Sequence, residues 1–277
     1  MISTNKILNE YLRGRRIPKG EFDDLKIVVE AVGYNKKVVD WFVYLQSIET
    51  VGWRQRLVTS KLARMLAGAT KDSPIEFYAL FCPSYKKGQG IHGFRTDDVG
   101  NTSRWGITIL KQIVEKTNDI GIACKFPRAI FFDIAIEQPE KSLAEIGNLK
   151  KNISNLKKLI PKEMNFEVLS ESFPSLFKIV GYSGIKVSPL PVPKKVFDRI
   201  VERGAKFYKL FGWSHEQILN RSEIIASSEA LVGDAIRNNM PNSIMIYTPT
   251  MLERAQVYSG HKLDTDPLPI IFPKHND

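Results

Sequence analysis

Cysteine is almost missing from this chain: among 277 residues only Cys82 and Cys124 are present. Two thiols so far apart build neither a disulfide framework nor a zinc site, so reduced thiols are expected. Long apolar runs are missing too. None approaches the roughly 20 residues that span a bilayer, and the opening MISTNKILNEYLRGRR lacks the continuous apolar core of a secretory signal. The expectation is a soluble, cytoplasmic protein with no membrane partner. No Walker Gly-Lys-Ser/Thr loop occurs, and there is no Gly-x-Ser-x-Gly elbow. Those absences speak against a P-loop NTPase and an α/β-hydrolase nucleophile. No internal repeat is visible, and no zinc-finger, basic-zipper or glycine-aromatic RNA-binding pattern occurs.

What is present is ordinary globular composition, 43% hydrophobic and 25% charged, with a formal charge of +10. It excludes disorder, collagen and coiled coil. The excess of Lys and Arg admits three readings: affinity for RNA or tRNA through phosphate contacts, a small anionic or phosphorylated substrate, or lysines on solvated helix faces such as NLKKNISNLKKLIPKE.

Apolar residues recur at three- and four-residue steps through FDDLKIVVEAV, VVDWFVYLQSI and WRQRLVTSKLARML, which predicts helices. Residues 1–70 therefore read as an N-terminal helical extension, and Asp72, Ser73 and Pro74 punctuate its end. Residues 71–277 read as a Rossmann-like α/β domain. The strand IEFYALFCPSY comes first, then a helix capped at Asn101, Thr102 or Ser103 that buries Trp105, Ile109, Leu110 and Ile113. A strand over 128–136 follows, then a helix with Leu143, Ile146, Leu149, Ile153, Leu156 and Ile160 on one stripe, then the strand NFEVLSE. Such alternation implies right-handed crossovers and a largely parallel sheet flanked by helices. A proline- and glycine-rich connector over about 181–195 divides the chain. Beyond it come two helices, the strand NSIMIYTP, and PLPIIF, whose prolines suit a sheet edge.

The segment from Ile75 to Asp133 concentrates candidate chemistry. Its first strand empties into KKGQGIHGFRTDDVGNTSR, where Lys86, Lys87, His92, Arg95 and Arg104 surround glycines that permit close backbone approach. An anionic small-molecule ligand fits that pattern, and a solvated loop is the competing reading. Cys82 and Ser84 occupy the usual address of a nucleophile, against a structural cysteine and a turn serine. Asp97 and Asp98 suit a divalent cation or acid-base work, or simply decorate a turn. Asp133, flanked by Phe131, Phe132, Ile134 and Ile136, is expensive to bury unless paired or used. Arg221 and Glu229, two helical turns apart, project from one face as a site or as a solvated salt-bridge face. Tyr247, Thr248 and Thr250 end a strand, with Arg254 after it, and reach the same crevice as Lys86 in the functional reading.

The order of IEFYALFCPSYKK, TSRWGITILKQIVEK, RAIFFDIAI, SLAEIGNLKKNI and NFEVLSESFP resembles the isocyanide synthase family, also called the pyoverdine and dityrosine biosynthesis family. IIASSEALVGDAIRNNMPNSIMIYTP is similar to its later helix, proline and strand. The resemblance carries over Lys86 after the first strand, Asp133 on the second, and Glu171 before a proline. It implies catalytic roles for these three, with Ser84, Lys87, His92, Arg95, Arg104, Arg221, Tyr247 and Arg254 assigned to substrate binding. The chain departs from the family in lacking Lys-Ser-Pro-Asn, in having Ile134 where glycine follows the strand aspartate, and in starting a helix with Asn101, Thr102 and Ser103 rather than acidic residues. The implied reaction is a transferase or synthase type, condensing an amino acid with a phosphorylated sugar toward an isonitrile or related nitrogen-modified product. Lys86 and nearby cations would hold phosphate or carbonyl groups, and Asp133 or Glu171 would move protons. No cofactor and no metal are assigned. The alternatives are an RNA-associated protein or tRNA-dependent synthase, with Arg13, Arg15 and Arg16 in its basic preface, and a noncatalytic interaction module.

Overall fold

β1 (Glu76–Phe81), EFYALF, is buried at every position after its first, as a strand covered on both faces must be. The computed structural model describes residues 4–14, 18–49, 56–81, 101–131, 151, 153–168, 193–209, 212–247 and 268–274. It sets β1 at the centre of a five-stranded sheet with β2 (Arg128–Phe131), β3 (Asn165–Val168), β4 (Ser243–Ile246) and β5 (Ile270–Ile271), in the order β3-β2-β1-β4-β5. Every pairing is parallel, with Tyr78 opposite Arg128 on one side and Met245 on the other. The α/β class read from the sequence is the fold observed, and the PLPIIF segment does supply the edge strand.

Seven helices complete the described architecture: α1 (Thr4–Tyr11), α2 (Lys19–Val32), α3 (Lys36–Ile48), α4 (Arg56–Gly68), α5 (Asn101–Asp119), α6 (Lys194–Tyr208) and α7 (His215–Asn239). A further helical stretch covers residues 153–159. Local chemistry sets several ends. Asn35 accepts from the Val38 amide at 3.3 Å, and Ser214 with Gln217 forms a capping box that opens α7. After α5 the chain turns at Gly121, whose φ of 80° is left-handed and whose carbonyl accepts from Lys37 at 2.9 Å.

Strand alternation divides the core into two layers. Phe77, Ala79 and Phe81 point, with Ala129, Phe131, Ile244 and Ile246, into a core shared with α1 to α5. Tyr78, Leu80, Ile130 and Met245 point the other way, against Val232 and Ile236 of α7 and Met240 just beyond it. The first four helices thus share one continuous hydrophobic core with the sheet. Trp41 of α3 stacks on Phe77, 6.4 Å between ring centroids at 21°, while its indole N–H donates to Thr117 of α5 at 2.8 Å. At the far edge the Glu49 carboxylate accepts from the Phe272 amide at 3.2 Å, tying the end of α3 to the end of β5.

Differences from the sequence reading have physical causes. α5 buries Ile107, Leu110, Val114 and Thr117 at three- and four-residue spacing, which turns Trp105 and Ile109 to its partly exposed flank. Ile75 stands outside β1 and bridges Cys124, its amide donating to the Ala123 carbonyl at 2.9 Å. Leu156 is buried as expected, with Ile153 and Ile160 packed against the core. Leu143, Ile146, Leu149 and the connector as far as residue 192 lie outside the described residues. Among the described residues, no helix is long and apolar enough to cross a membrane.

One ion cluster sews the amino ends of three strands together. Arg128 of β2 grips Glu167 of β3 through two hydrogen bonds of 2.6 Å and reaches Glu76 of β1 at 3.4 Å. These side chains retain only 18–24% of their surface. The hydrogen bonds to Glu167, foremost, hold the guanidinium above its ordinary value. Burial pushes the neighbouring Tyr78 phenol well above its usual range despite that positive charge, so Tyr78 stays neutral.

Replacing Arg128 with Met strands two half-desolvated carboxylates, and urea unfolding is expected to show a loss of about 2 kcal/mol. A loss below about 0.5 kcal/mol would mark the cluster as a solvated surface pair. Cys124 yields a second expectation. Burial pushes its thiol up to about 11, outweighing the hydrogen bond to Asn118. Peptide mass spectrometry at pH 8 should find Cys124 resistant to iodoacetamide in the folded protein and alkylated in urea; rapid native alkylation would contradict that burial.

Candidate active site

The strand order locates the site. From β1 the chain adds β2 and then β3 on one side, after which β4 returns to the opposite side of β1. In parallel α/β sheets such a reversal parts the loops of the two adjacent strands, and ligands bind in the crevice outside their carboxyl ends. Here those ends are Phe81 on β1 and Ile246 on β4. Directly after Ile246, the Tyr247 amide donates to Ile271 at 2.9 Å and its ring stacks on Phe272 at 5.8 Å and 24°, leaving Tyr247 2% exposed.

Two helices bring their amino ends toward this edge. α5 ends beside Ile75, at the amino side of β1, so its first turn, which carries Arg104, lies at the opposite side. α7 runs the same way: Met240, just past its end, touches Arg128 with its sulfur 3.4 Å from the guanidinium. At about 1.5 Å per residue, Glu229 stands about 16 Å back from Met240 along the helix. β1 spans about the same length. Glu229 is therefore level with the strand carboxyl ends, and the helix before it rises beyond the sheet.

The composition of α7 changes at that level. Ile218, Arg221, Ser222, Ile225, Glu229, Val232 and Ile236 form one stripe at helical spacing, and all are buried. Val232 and Ile236 meet the sheet. The stripe then turns polar, with Glu229 at 0% exposure and Arg221 at 8%. Ser222 is satisfied within the helix, its hydroxyl donating to the Ile218 carbonyl at 2.8 Å. The Arg221 Nε is fully buried with no hydrogen-bond partner. A solvated salt-bridge face, one sequence reading of Arg221 and Glu229, is thereby overturned, because both are inside. On another side Ala230 packs with Ile200 and Val196 of α6.

Of the residues singled out from the sequence, the structure brings Arg221 and Tyr247 to the carboxyl-end region and places the backbone of Arg104 in the first turn of α5. Ser84, Lys86, Lys87, His92, Arg95, Asp133, Glu171 and Arg254 lie outside the described residues, as do Cys82, Asp97, Asp98, Thr248 and Thr250. In sequence, the chain leaves β1 five residues before Lys86 and leaves β2 two residues before Asp133. Sequence reasoning paired Arg221 with Glu229 but missed that they share a buried stripe. The signal was available: both fall in register with Ile218, Ile225, Val232 and Ile236.

A separate groove of about 340 Å³ opens between α5 and the segments entering β2 and β3, lined by Lys111, Glu115, Phe126, Pro127, Glu163 and Met164. It lies at the amino ends of the strands, the edge where parallel sheets seldom bind ligands.

No protein-family model matches this chain, and a search of curated proteins finds no match. Among solved structures the fold is similar to that of the PvcA protein from Pseudomonas aeruginosa, with a TM-score of 0.51. The match covers 79% of this chain and 81% of that one at 10% sequence identity. At that identity the likeness establishes a shared α/β architecture.

Proposed function

We propose that this protein is a small-molecule biosynthetic enzyme, transferase- or synthase-like, acting on an amino acid and an anionic or phosphorylated co-substrate at the carboxyl ends of β1 and β4. The observation that carries this reading is the buried polar stretch of α7 beside the strand reversal. A helix that only stabilised the fold would continue the apolar stripe of Val232 and Ile236 rather than bury a carboxylate and a guanidinium. The segment order resembling isocyanide synthases and the fold likeness to PvcA support the same reading. Each alone is compatible with other chemistry on an α/β scaffold.

In this reading Lys86, with Lys87, His92, Arg95 and Arg104, holds phosphate or carbonyl oxygens, as a cationic cluster after a central strand is suited to do. Asp133 or Glu171 moves protons. Ser84, Tyr247 and Arg254 complete the binding surface. The resemblance further suggests a nitrogen-modified product of the isonitrile type.

Untargeted mass spectrometry of cells with and without the protein, with and without an isonitrile-trapping reagent, is expected to reveal a new metabolite. Lys86→Ala and Asp133→Ala should each lower its yield by about 100-fold or more while the circular dichroism spectrum stays unchanged. An unchanged metabolite profile, or full yield from both variants, would overturn the assignment.

A further inference from the structure

We propose that Arg221 is the anion-recognition residue of the crevice, gripping a carboxylate or phosphate of the bound molecule through its guanidinium. The proposal rests on the enzymatic reading above but makes a separate claim, that charge is read from the α7 wall and not only by the cations that follow β1. Arg221 is 8% exposed, its Nε is fully buried, and that nitrogen has no hydrogen-bond partner. Among the described residues no carboxylate forms an ion pair with it. Glu229, the other charged member of the buried stripe, is two turns away, about 12 Å along the axis. Of the stripe residues next to Arg221, Ile218 and Ile225 are apolar, and the Ser222 hydroxyl donates to the helix backbone without accepting from the Arg221 Nε.

A lysine in such a place would relieve its burial by losing a proton. Arginine cannot, because its guanidinium stays charged at any pH a protein survives. Among the described residues no carboxylate offsets this charge, a costly arrangement that a bound anion would relieve. Arg128 provides the internal contrast. Less enclosed than Arg221, it is clasped by two carboxylates of its own chain. A guanidinium can close the same bidentate grip on a ligand oxyanion, and among the described residues none supplies that partner to Arg221.

The shared chemistry is an oxyanion offering two oxygens, which either the carboxylate of an amino acid or the phosphate of a sugar phosphate supplies. Thermal unfolding of the full-length protein in sodium phosphate, sodium acetate and sodium chloride at matched ionic strength separates the sources. The wild type should gain Tm saturably with phosphate, acetate or both, and not with chloride; phosphate alone points to the sugar phosphate, acetate alone to the amino-acid carboxylate. Arg221→Met should melt no lower than the anion-free wild type and bind the effective anion at least about tenfold more weakly, with Arg221→Lys between them. The proposal is overturned if the wild type responds to neither anion, or if Arg221→Met keeps wild-type anion affinity. It is equally overturned if Arg221→Met melts far below the anion-free wild type and Arg221→Lys restores it, which marks a structural cation. An anion response that needs Arg221, in a protein whose expression changes no metabolite, retains this site and removes the enzymatic reading. Metabolite changes without any anion response do the reverse.

Discussion

β1 is committed on four sides at once. Its backbone pairs with β2 and β4, Phe77, Ala79 and Phe81 fill the core shared with five helices, and Tyr78 and Leu80 fill the core against α7. No other described strand couples both directions of chain growth, because strand order reverses at this one. The same constraint leaves one place where neighbouring loops must part, outside the carboxyl ends of β1 and β4. The crevice is a consequence of the topology rather than an addition to it.

The two edges of the sheet are specialised accordingly. At the amino edge Arg128 pairs with Glu76 and Glu167 and ties three strands, while the Cys124 thiol is held protonated by burial. Arg128 finds its partners within the chain, which suits an anchor. At the carboxyl edge α7 extends past the sheet, and its buried stripe changes from Val232 and Ile236 to Glu229 and Arg221. Arg128 and Arg221 thus differ, the first held by carboxylates of its own chain and the second, in the proposal above, by a bound anion. An ion-paired edge opposite one with a buried, unpartnered arginine nitrogen is what a binding site on a stable scaffold requires.

Much of the fold was legible in the sequence because two-sided burial leaves a strong mark. The runs EFYALF, RAIF and SIMI are apolar after their first residue, and the helices between them keep their three- and four-residue spacing. Strand order was not legible, since nothing local to SIMI says that β4 returns to the opposite side of β1. Nor was the continuity of the first four helices with the sheet: Trp41 is only a helical tryptophan until it stacks on Phe77. Part of the site could be read. Arg221 and Glu229 were recognised as sharing a face, but spacing alone does not tell a solvated face from a buried one. That distinction depends on how far α7 overhangs the sheet, a tertiary quantity. Lys86, Asp133 and Glu171 were reached through pattern and resemblance, and their chemistry stands as part of the proposed function.

The central claim is that the carboxyl ends of β1 and β4, walled by the amino half of α7, form the ligand site. Hydrogen exchange of the intact protein, measured with and without saturating inorganic phosphate, tests it most directly. The account predicts slowed exchange in peptides covering residues 218–232 and those following Phe81 and Ile246, with little change around Phe126 and Met164. Protection confined to the groove beside Phe126, at the opposite edge of the sheet, would contradict it.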